Sequence, residues 1–188
     1  MRRPVRARWR AALAVLGALH LSVLAGEKPN ILFILADDLG WRDVGCYGSP
    51  FCETPRIDRL AREGMRFTQA YTAGAVCSPT RGSIMSGKYP VRTGVTDYIP
   101  GLAGEGRKLA TRRTKTELAL EDVTIAEALR EHGYQTFYSG KWHLGGGGFG
   151  PEDQGFEVVV PDGQLGNHGK DWKVGQRISE SAVNFLQE

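Results

Sequence analysis

Long hydrophobic runs are scarce in this chain, which excludes a polytopic membrane protein. Its 25 glycines follow no three-residue period, so a collagen-like rod is excluded as well. An excess of one charge sign is also missing. The 24 Lys and Arg stand against 21 Asp and Glu, a net of +3, too balanced for a disordered acidic or basic tail. Cysteine is sparse: three residues, an odd number that cannot all pair within the chain. What is present is an ordinary globular composition, 41% hydrophobic and 24% charged over 188 residues. A domain of this length buries roughly two-thirds of its unfolded surface, enough for a real core.

The small basic excess sits at one end. Arg2, Arg3, Arg6, Arg8 and Arg10 lie in the first ten residues, and no acid precedes Glu27. Without residues 1–25 the chain has 19 basic against 21 acidic residues, a net of −2. A nucleic-acid binder keeps its basic face in the folded part, so nucleic acid is not an expected partner. The arginines are followed by an apolar stretch over residues 11–25, with the small residues Val23 and Ala25 at signal-peptidase spacing. This three-part pattern predicts a signal peptide over residues 1–25 and export to the periplasm or the extracellular space. The alternative is a membrane anchor. That needs about 20 apolar residues, and this run is shorter and broken by Gly17 and His20. Arg2-Arg3 is a slight pointer to twin-arginine export, and no cysteine near the cleavage site offers a lipid anchor.

Residues 30–36 (NILFILA) form a continuous apolar, β-branched run. Such a run predicts a strand buried on both faces, at the centre of a mostly parallel sheet. It ends in Asp37-Asp38-Leu39-Gly40, at the kind of strand end where open α/β sheets gather ligands. Thr54-Pro55 predicts a helix ending before Gly64, with Ile57, Leu60 and Ala61 as its buried stripe. Residues 65–71 predict a second strand. Ser78-Pro79 predicts a short helix over residues 79–86, with Cys77 just ahead of it. Thr124-Ile-Ala-Glu127 is a capping box for a helix stopping at Gly133, and residues 134–139 predict a third strand. Residues 178–186 predict a further helix. The alternation of strand and helix indicates an α/β fold, a mostly parallel sheet flanked by helices. Residues 100–118 and 145–148 read as exposed loop and flexible stretch.

Three groups carry candidate chemistry. Two carboxylates about 4 Å apart, as Asp37 and Asp38 would be, repel by roughly 4 kcal/mol at an effective dielectric of 20. A hard divalent cation removes that cost; the other reading is a solvated turn with a helix N-cap. Cys77 stands before a helix N-terminus, where positive potential favours an anionic nucleophile or a bound oxyanion, and Arg81 is one turn into the same helix. The other reading is a structural cysteine in a disulfide. Lys141 and His143 follow the third strand at alternate positions, which in an extended segment point to one side. Together they could bind an anion and shuttle a proton, or be a surface lysine beside a half-buried histidine.

Four blocks taken together resemble the sulfatase family, within the alkaline-phosphatase-like superfamily. They are Pro29-Asn30 through Asp37-Asp38, Thr54-Pro55-Arg-Ile-Asp58-Arg-Leu60, Cys77-Ser-Pro79-Thr-Arg81 with Gly87-Lys88-Tyr-Pro90, and Gly140-Lys141-Trp142-His143-Leu144-Gly145. The resemblance covers residues 28–157. It implies that Cys77 is converted to formylglycine (3-oxoalanine) by a formylglycine-generating enzyme or an anaerobic sulfatase-maturating enzyme, which read the Cys-x-Pro-x-Arg element. The hydrated aldehyde would attack sulfur, and its second hydroxyl would then expel sulfate. Asp37, Asp38 and the converted Cys77 would hold Ca2+, with Mg2+ the second choice. Arg81 would fix the hydrate, Lys141 would contact the substrate sulfate, and His143 would hydrogen-bond the hydrate. The implied partner is a sulfated small molecule or glycan.

The family's other metal ligands, a further His and another Lys lie later in much longer chains. Here His168 and Asp171 find no place in the site. The expectation is therefore that residues 26–188 are the amino-terminal part of a sulfatase catalytic domain, incomplete at the carboxyl end. On that reading the 188-residue chain alone has little or no activity, since losing one transition-state donor already costs roughly 3–4 kcal/mol. Setting Cys77 aside leaves Cys46 and Cys52, near enough in sequence to pair or to stay free. The glycines at 145–150 lack the Lys-Ser/Thr that a phosphate loop needs. Trp142 reads as packing and the basic loop 107–115 as solvated, though the loop could attract a sulfated glycan. Two other functions fit the same residues. One is a phosphoesterase or phosphonate hydrolase on this scaffold; the other is a non-catalytic secreted protein that binds sulfated glycans or is a decayed fragment.

Overall fold

The computed structural model describes residues 28–101, 113–160 and 173–187. The expected signal peptide, His168, Asp171 and most of the basic loop lie outside these residues. Helices α1 (Pro55–Glu63), α2 (Cys77–Ser86), α3 (Pro90–Thr93) and α4 (Ile125–Glu131) precede strand β1 (Phe137–Ser139). Strand β2 (Val158–Val160) and helix α5 (Lys173–Gln187) follow, and short 3-10 turns occupy Gly45–Tyr47 and Glu152–Gln154. β1 and β2 pair in parallel, Phe137 opposite Val158 and Ser139 opposite Val160. Parallel strands require a long connection between them. Here that connection carries Lys141, Trp142 and His143, so the sheet's carboxyl edge delivers the residues of interest.

The core lies between α2 and this connection. Met85, Val95, Leu118, Trp142 and Leu144 are buried together, with Ile84, Ile99, Tyr138 and Phe156 packed against them. Tyr138 meets Trp142 edge-on at 5.3 Å and Phe156 at 4.9 Å between ring centroids. Trp142 is thus a packing residue, as expected, and its indole N–H donates to the Phe149 carbonyl at 2.8 Å. On the other side of β1, Phe137 stacks on Phe185 of α5 at 4.9 Å.

Local signals specify their elements where the chemistry is local. Both bonds of the α4 capping box form: Glu127 N–H donates to Thr124 Oγ1, and Thr124 N–H donates to the Glu127 carboxylate at 2.7 Å. The Thr124 hydroxyl also donates to the Gln154 carbonyl at 2.6 Å, tying the helix start to the approach to β2. α1 begins at Pro55 and ends before Gly64, as the punctuation predicts. α2 begins two residues earlier than predicted, at Cys77. Pro79 is then the third residue of the helix, where the missing N–H would have had no partner in any case. α5 also starts earlier than predicted, at Lys173.

Other expectations fail. Residues 30–36 form no strand, and Ile31, Leu32, Phe33 and Ile34 are exposed. A strand exists only through a ladder, and β1–β2 is the ladder among the described residues. The same holds for residues 65–71. The third strand shrinks to Phe137–Ser139, the length that β2 can pair. The predicted stripe of α1 is not buried: Ile57 is 46% and Leu60 68% exposed. α1 instead docks on the Gly45–Tyr47 turn through polar groups. Asp58 accepts from Cys46 N–H at 2.7 Å, and Thr54 Oγ1 accepts from Gly45 N–H rather than capping the helix. Leu118, expected in an exposed loop, is fully buried in the core. Cys46, Cys52 and Cys77 are all free thiols. Among the described residues, no helix is long and apolar enough to cross a membrane.

Gly155 illustrates how tightly the approach to β2 fits α4. It has φ +94°, and a Cβ there would stand 2.7 Å from the Glu127 amide nitrogen. Gly148 has φ +98° but open space around it. Both Gly→Ala changes carry the left-handed strain of about 1–2 kcal/mol. Gly155→Ala adds backbone overlap, so chemical denaturation should show it costing at least about 1 kcal/mol more than Gly148→Ala.

Candidate active site

Three segments far apart in sequence converge on Asp37. Its Oδ1 lies 3.2 Å from Arg81 Nη2, and its Oδ2 lies 2.7 Å from Lys141 Nζ. Asp38, next in the chain, adopts a left-handed φ of 56°, a conformation that a short polar side chain tolerates. Cys77 is the first residue of α2, and Arg81 lies four residues on, on the same helix face. Lys141 Nζ is 3.1 Å from Cys77 Sγ, so one ammonium touches both the carboxylate and the thiol.

Arg81 is 6% exposed. Besides Asp37, its guanidinium donates to the Lys141 carbonyl, which also accepts from the Tyr138 hydroxyl at 2.5 Å. That carbonyl is therefore pinned from two sides, and the backbone under the Lys141 ammonium is held. Tyr138 is no candidate from sequence, where a tyrosine in a strand reads as core; nothing in its spacing marks this bond. Burial pushes its phenol up to about 12 despite the opposing pull of Arg81, so it stays a donor at neutral pH.

The charges of Asp37 and Lys141 support each other. Burial acts to raise the Asp37 carboxyl, but the hydrogen bonds and charges of Lys141 and Arg81 outweigh it and hold it below its ordinary 3.8. Burial acts to lower the Lys141 ammonium, but Asp37 and then Cys77 outweigh it and hold it above its ordinary 10.5.

His143 is held by different contacts from Lys141. Its backbone is left-handed, φ 58°, so the alternation rule for extended chain fails at this residue. Its Nε2 bonds the Ile99 carbonyl at 2.6 Å, while Nδ1 is buried without a hydrogen-bond partner. Lys141 faces Asp37 and Cys77, and His143 is anchored by the loop that contains Ile99.

A metal can be tested against the donors present. Ligand atoms of Asp37, Asp38 and Cys77 lie within 4.8 Å of one another. Asp38 is exposed and pairs with none of the described residues. Two carboxylates suit a hard cation such as Ca2+ or Mg2+; a thiol does not, whereas an oxygen at position 77 would. The residues fit a hard divalent cation on those terms.

The Sulfatase family model matches residues 29–175, a span that includes the whole cluster. The chain belongs to the sulfatase family. It is 42% identical over 149 residues to arylsulfatase A of Homo sapiens, covering 78% of this chain and 27% of that protein. It is 43% identical over 129 residues to N-acetylgalactosamine-6-O-sulfatase of Bacteroides thetaiotaomicron, covering 68% and 23%. Among solved structures, Ps i-CgsB in complex with k-i-k-neocarrahexaose matches with a TM-score of 0.61 and 36% identity, covering 71% of this chain and 28% of that one. PsFucS1 sulfatase from Pseudoalteromonas sp. matches with a TM-score of 0.56 and 34% identity, covering 86% and 32%. The chain therefore spans between about a quarter and a third of the length of these relatives. Its fold is the alkaline-phosphatase-like α/β fold of those sulfatases, with a small parallel sheet and flanking helices.

The ion cluster sets a pH dependence in the metal-free protein. Asp37 contributes stability that is complete well above 3.8 and is lost as the pH falls below it. Lys141 contributes stability that is complete well below 10.5 and is lost as the pH rises beyond it. The difference in unfolding free energy between the wild type and Asp37→Asn should be constant between these limits and shrink on both flanks.

Proposed function

We propose that this chain carries the nucleophile side of a sulfuric ester hydrolase site, with position 77 as nucleophile. The contact between Cys77 Sγ and Lys141 Nζ at 3.1 Å carries this reading, because it puts a fixed cation where an ester anion must approach. Conversion of Cys77 to formylglycine would supply, once its aldehyde is hydrated, a hydroxyl nucleophile whose partner hydroxyl can later expel sulfate, which a thiol cannot do. Ca2+ held by Asp37, Asp38 and position 77 would supply positive charge to the substrate's sulfate oxygens.

The chain's own residues do the rest. The free N–H groups of the first turn of α2 and the Lys141 ammonium favour a sulfate group beside position 77. Arg81 is too engaged with Asp37 and the Lys141 carbonyl to move freely, so it holds both in place while adding positive charge. The Ile99 carbonyl can only accept, so His143 carries its proton on Nε2, leaving Nδ1 as a buried acceptor. We assign that acceptor to a hydroxyl of the hydrate at position 77, the role the family resemblance implies for His143. These are preorganised charges and dipoles, the largest ordinary source of transition-state stabilisation.

The proposed substrate is a sulfate monoester of a small molecule or a glycan, in keeping with the N-acetylgalactosamine-6-O-sulfatase among its relatives. The proposed setting is the periplasm or extracellular space, after cleavage of residues 1–25 and maturation by a formylglycine-generating or anaerobic sulfatase-maturating enzyme. Removing a nucleophile costs several orders of magnitude in turnover. In the full-length protein co-expressed with a maturation enzyme, peptide mass spectrometry should find the aldehyde at position 77. Aryl sulfate should be hydrolysed in preference to aryl phosphate. Cys77→Ala should lower kcat by about 10⁴-fold or more, and Lys141→Ala by about 10²–10³-fold. A preference for phosphate esters, or undiminished turnover in Cys77→Ala, overturns the proposal.

A further inference from the structure

We infer that Ser78 is a positioning residue that sets the tautomer and orientation of His143 through Ile99. The inference rests on the role proposed above for His143 and assigns the device that aims it. Ser78 is fully buried in the first turn of α2, immediately after Cys77. Its Oγ accepts from the Ile99 N–H at 3.0 Å. The carbonyl of the same Ile99 accepts from His143 Nε2 at 2.6 Å. Ile99 is thus gripped on its amide side by the residue next to the nucleophile and grips the imidazole on its carbonyl side.

The imidazole needs such a grip. A non-glycine residue at φ 58° is held there by its surroundings rather than by its own preference. A neutral imidazole has two tautomers, and the partner of one nitrogen decides the state of the other. With Nε2–H committed to Ile99, Nδ1 presents a lone pair. That lone pair is buried and unpartnered, in the segment whose Lys141 touches Cys77. Without the Ser78 hydroxyl, the Ile99 N–H loses its acceptor and the loop is free to shift. Nε2 then loses its fixed carbonyl and either nitrogen can carry the proton.

The test is made on the full-length protein labelled with 15N-histidine, using His143→Gln to assign the signal. NMR of the wild type should show His143 protonated on Nε2 and bare on Nδ1. Ser78→Ala should give a mixture of tautomers, and kcat for an aryl sulfate should fall about tenfold to a hundredfold with KM little changed. Ser78→Thr, which keeps the hydroxyl, should restore both. If Ser78→Ala does not fold, Ser78→Cys, close in size but a poor acceptor, is read in the same two ways. An unchanged Nε2–H tautomer in Ser78→Ala overturns the inference, whatever kcat does. The tautomer reading requires no turnover, so it decides this point even if the full-length protein cleaves no sulfate ester.

Discussion

Everything at this site depends on one carboxylate holding two cations. Asp37 draws Arg81 from 44 positions away and Lys141 from 104 positions away to the two oxygens of a single side chain. The arrangement is unequal. Arg81 has only 7% of its side chain exposed, whereas Asp37 retains 35%. Removing the carboxylate would therefore leave a buried guanidinium with less compensation, the costly way to break such a pair. The same carboxylate remains open enough on its solvent side for a metal ion. One residue can thus hold the protein's own cations and still offer oxygen to another.

The hydrophobic core serves this electrostatic centre at one remove. Tyr138 packs by its ring against Trp142 and Phe156 and by its hydroxyl holds the Lys141 carbonyl. Met85 and Ile84, on the same helix as Arg81, belong to that cluster. The depth at which Arg81 and Lys141 sit is therefore set by apolar packing. Short backbone segments complete the placement, namely the turn that leads from β1 to Lys141, the first turn of α2, and the Ile99 loop. None is long or regular. Precision here comes from pinned carbonyls and buried side chains rather than from extended secondary structure.

Much of the site was legible in the sequence because its chemistry is written in residue types at short spacing. Cys77 and Arg81 share a helix turn, Asp37 and Asp38 are neighbours, and the structure brings Asp37, Arg81 and Lys141 together with Cys77. The capping box at Thr124 and Glu127 was equally legible, since both partners lie within one turn. The predicted strand at residues 30–36 failed for the opposite reason. An apolar run states only that a segment would gain from burial; whether a ladder forms depends on partners elsewhere in the chain. The stripe of α1 failed in the same way, for a helix face is buried only if another element covers it. At His143 the backbone takes a positive φ, a choice that alternation cannot foresee.

From its residues alone, then, the chain determines its family, the bounds of α1 and the capped start of α4, and which side chains are candidates for the site. Each of those follows from local chemistry: side-chain type, hydrogen bonds within a turn, and the spacing of a motif. The tertiary structure alone decides that Lys141 faces Cys77 while His143 turns to Ile99, that Tyr138 supports the site, and that Ser78 reaches a residue 21 positions away. Those are contacts across long loops. Their existence depends on how separate segments pack, and no local pattern encodes that.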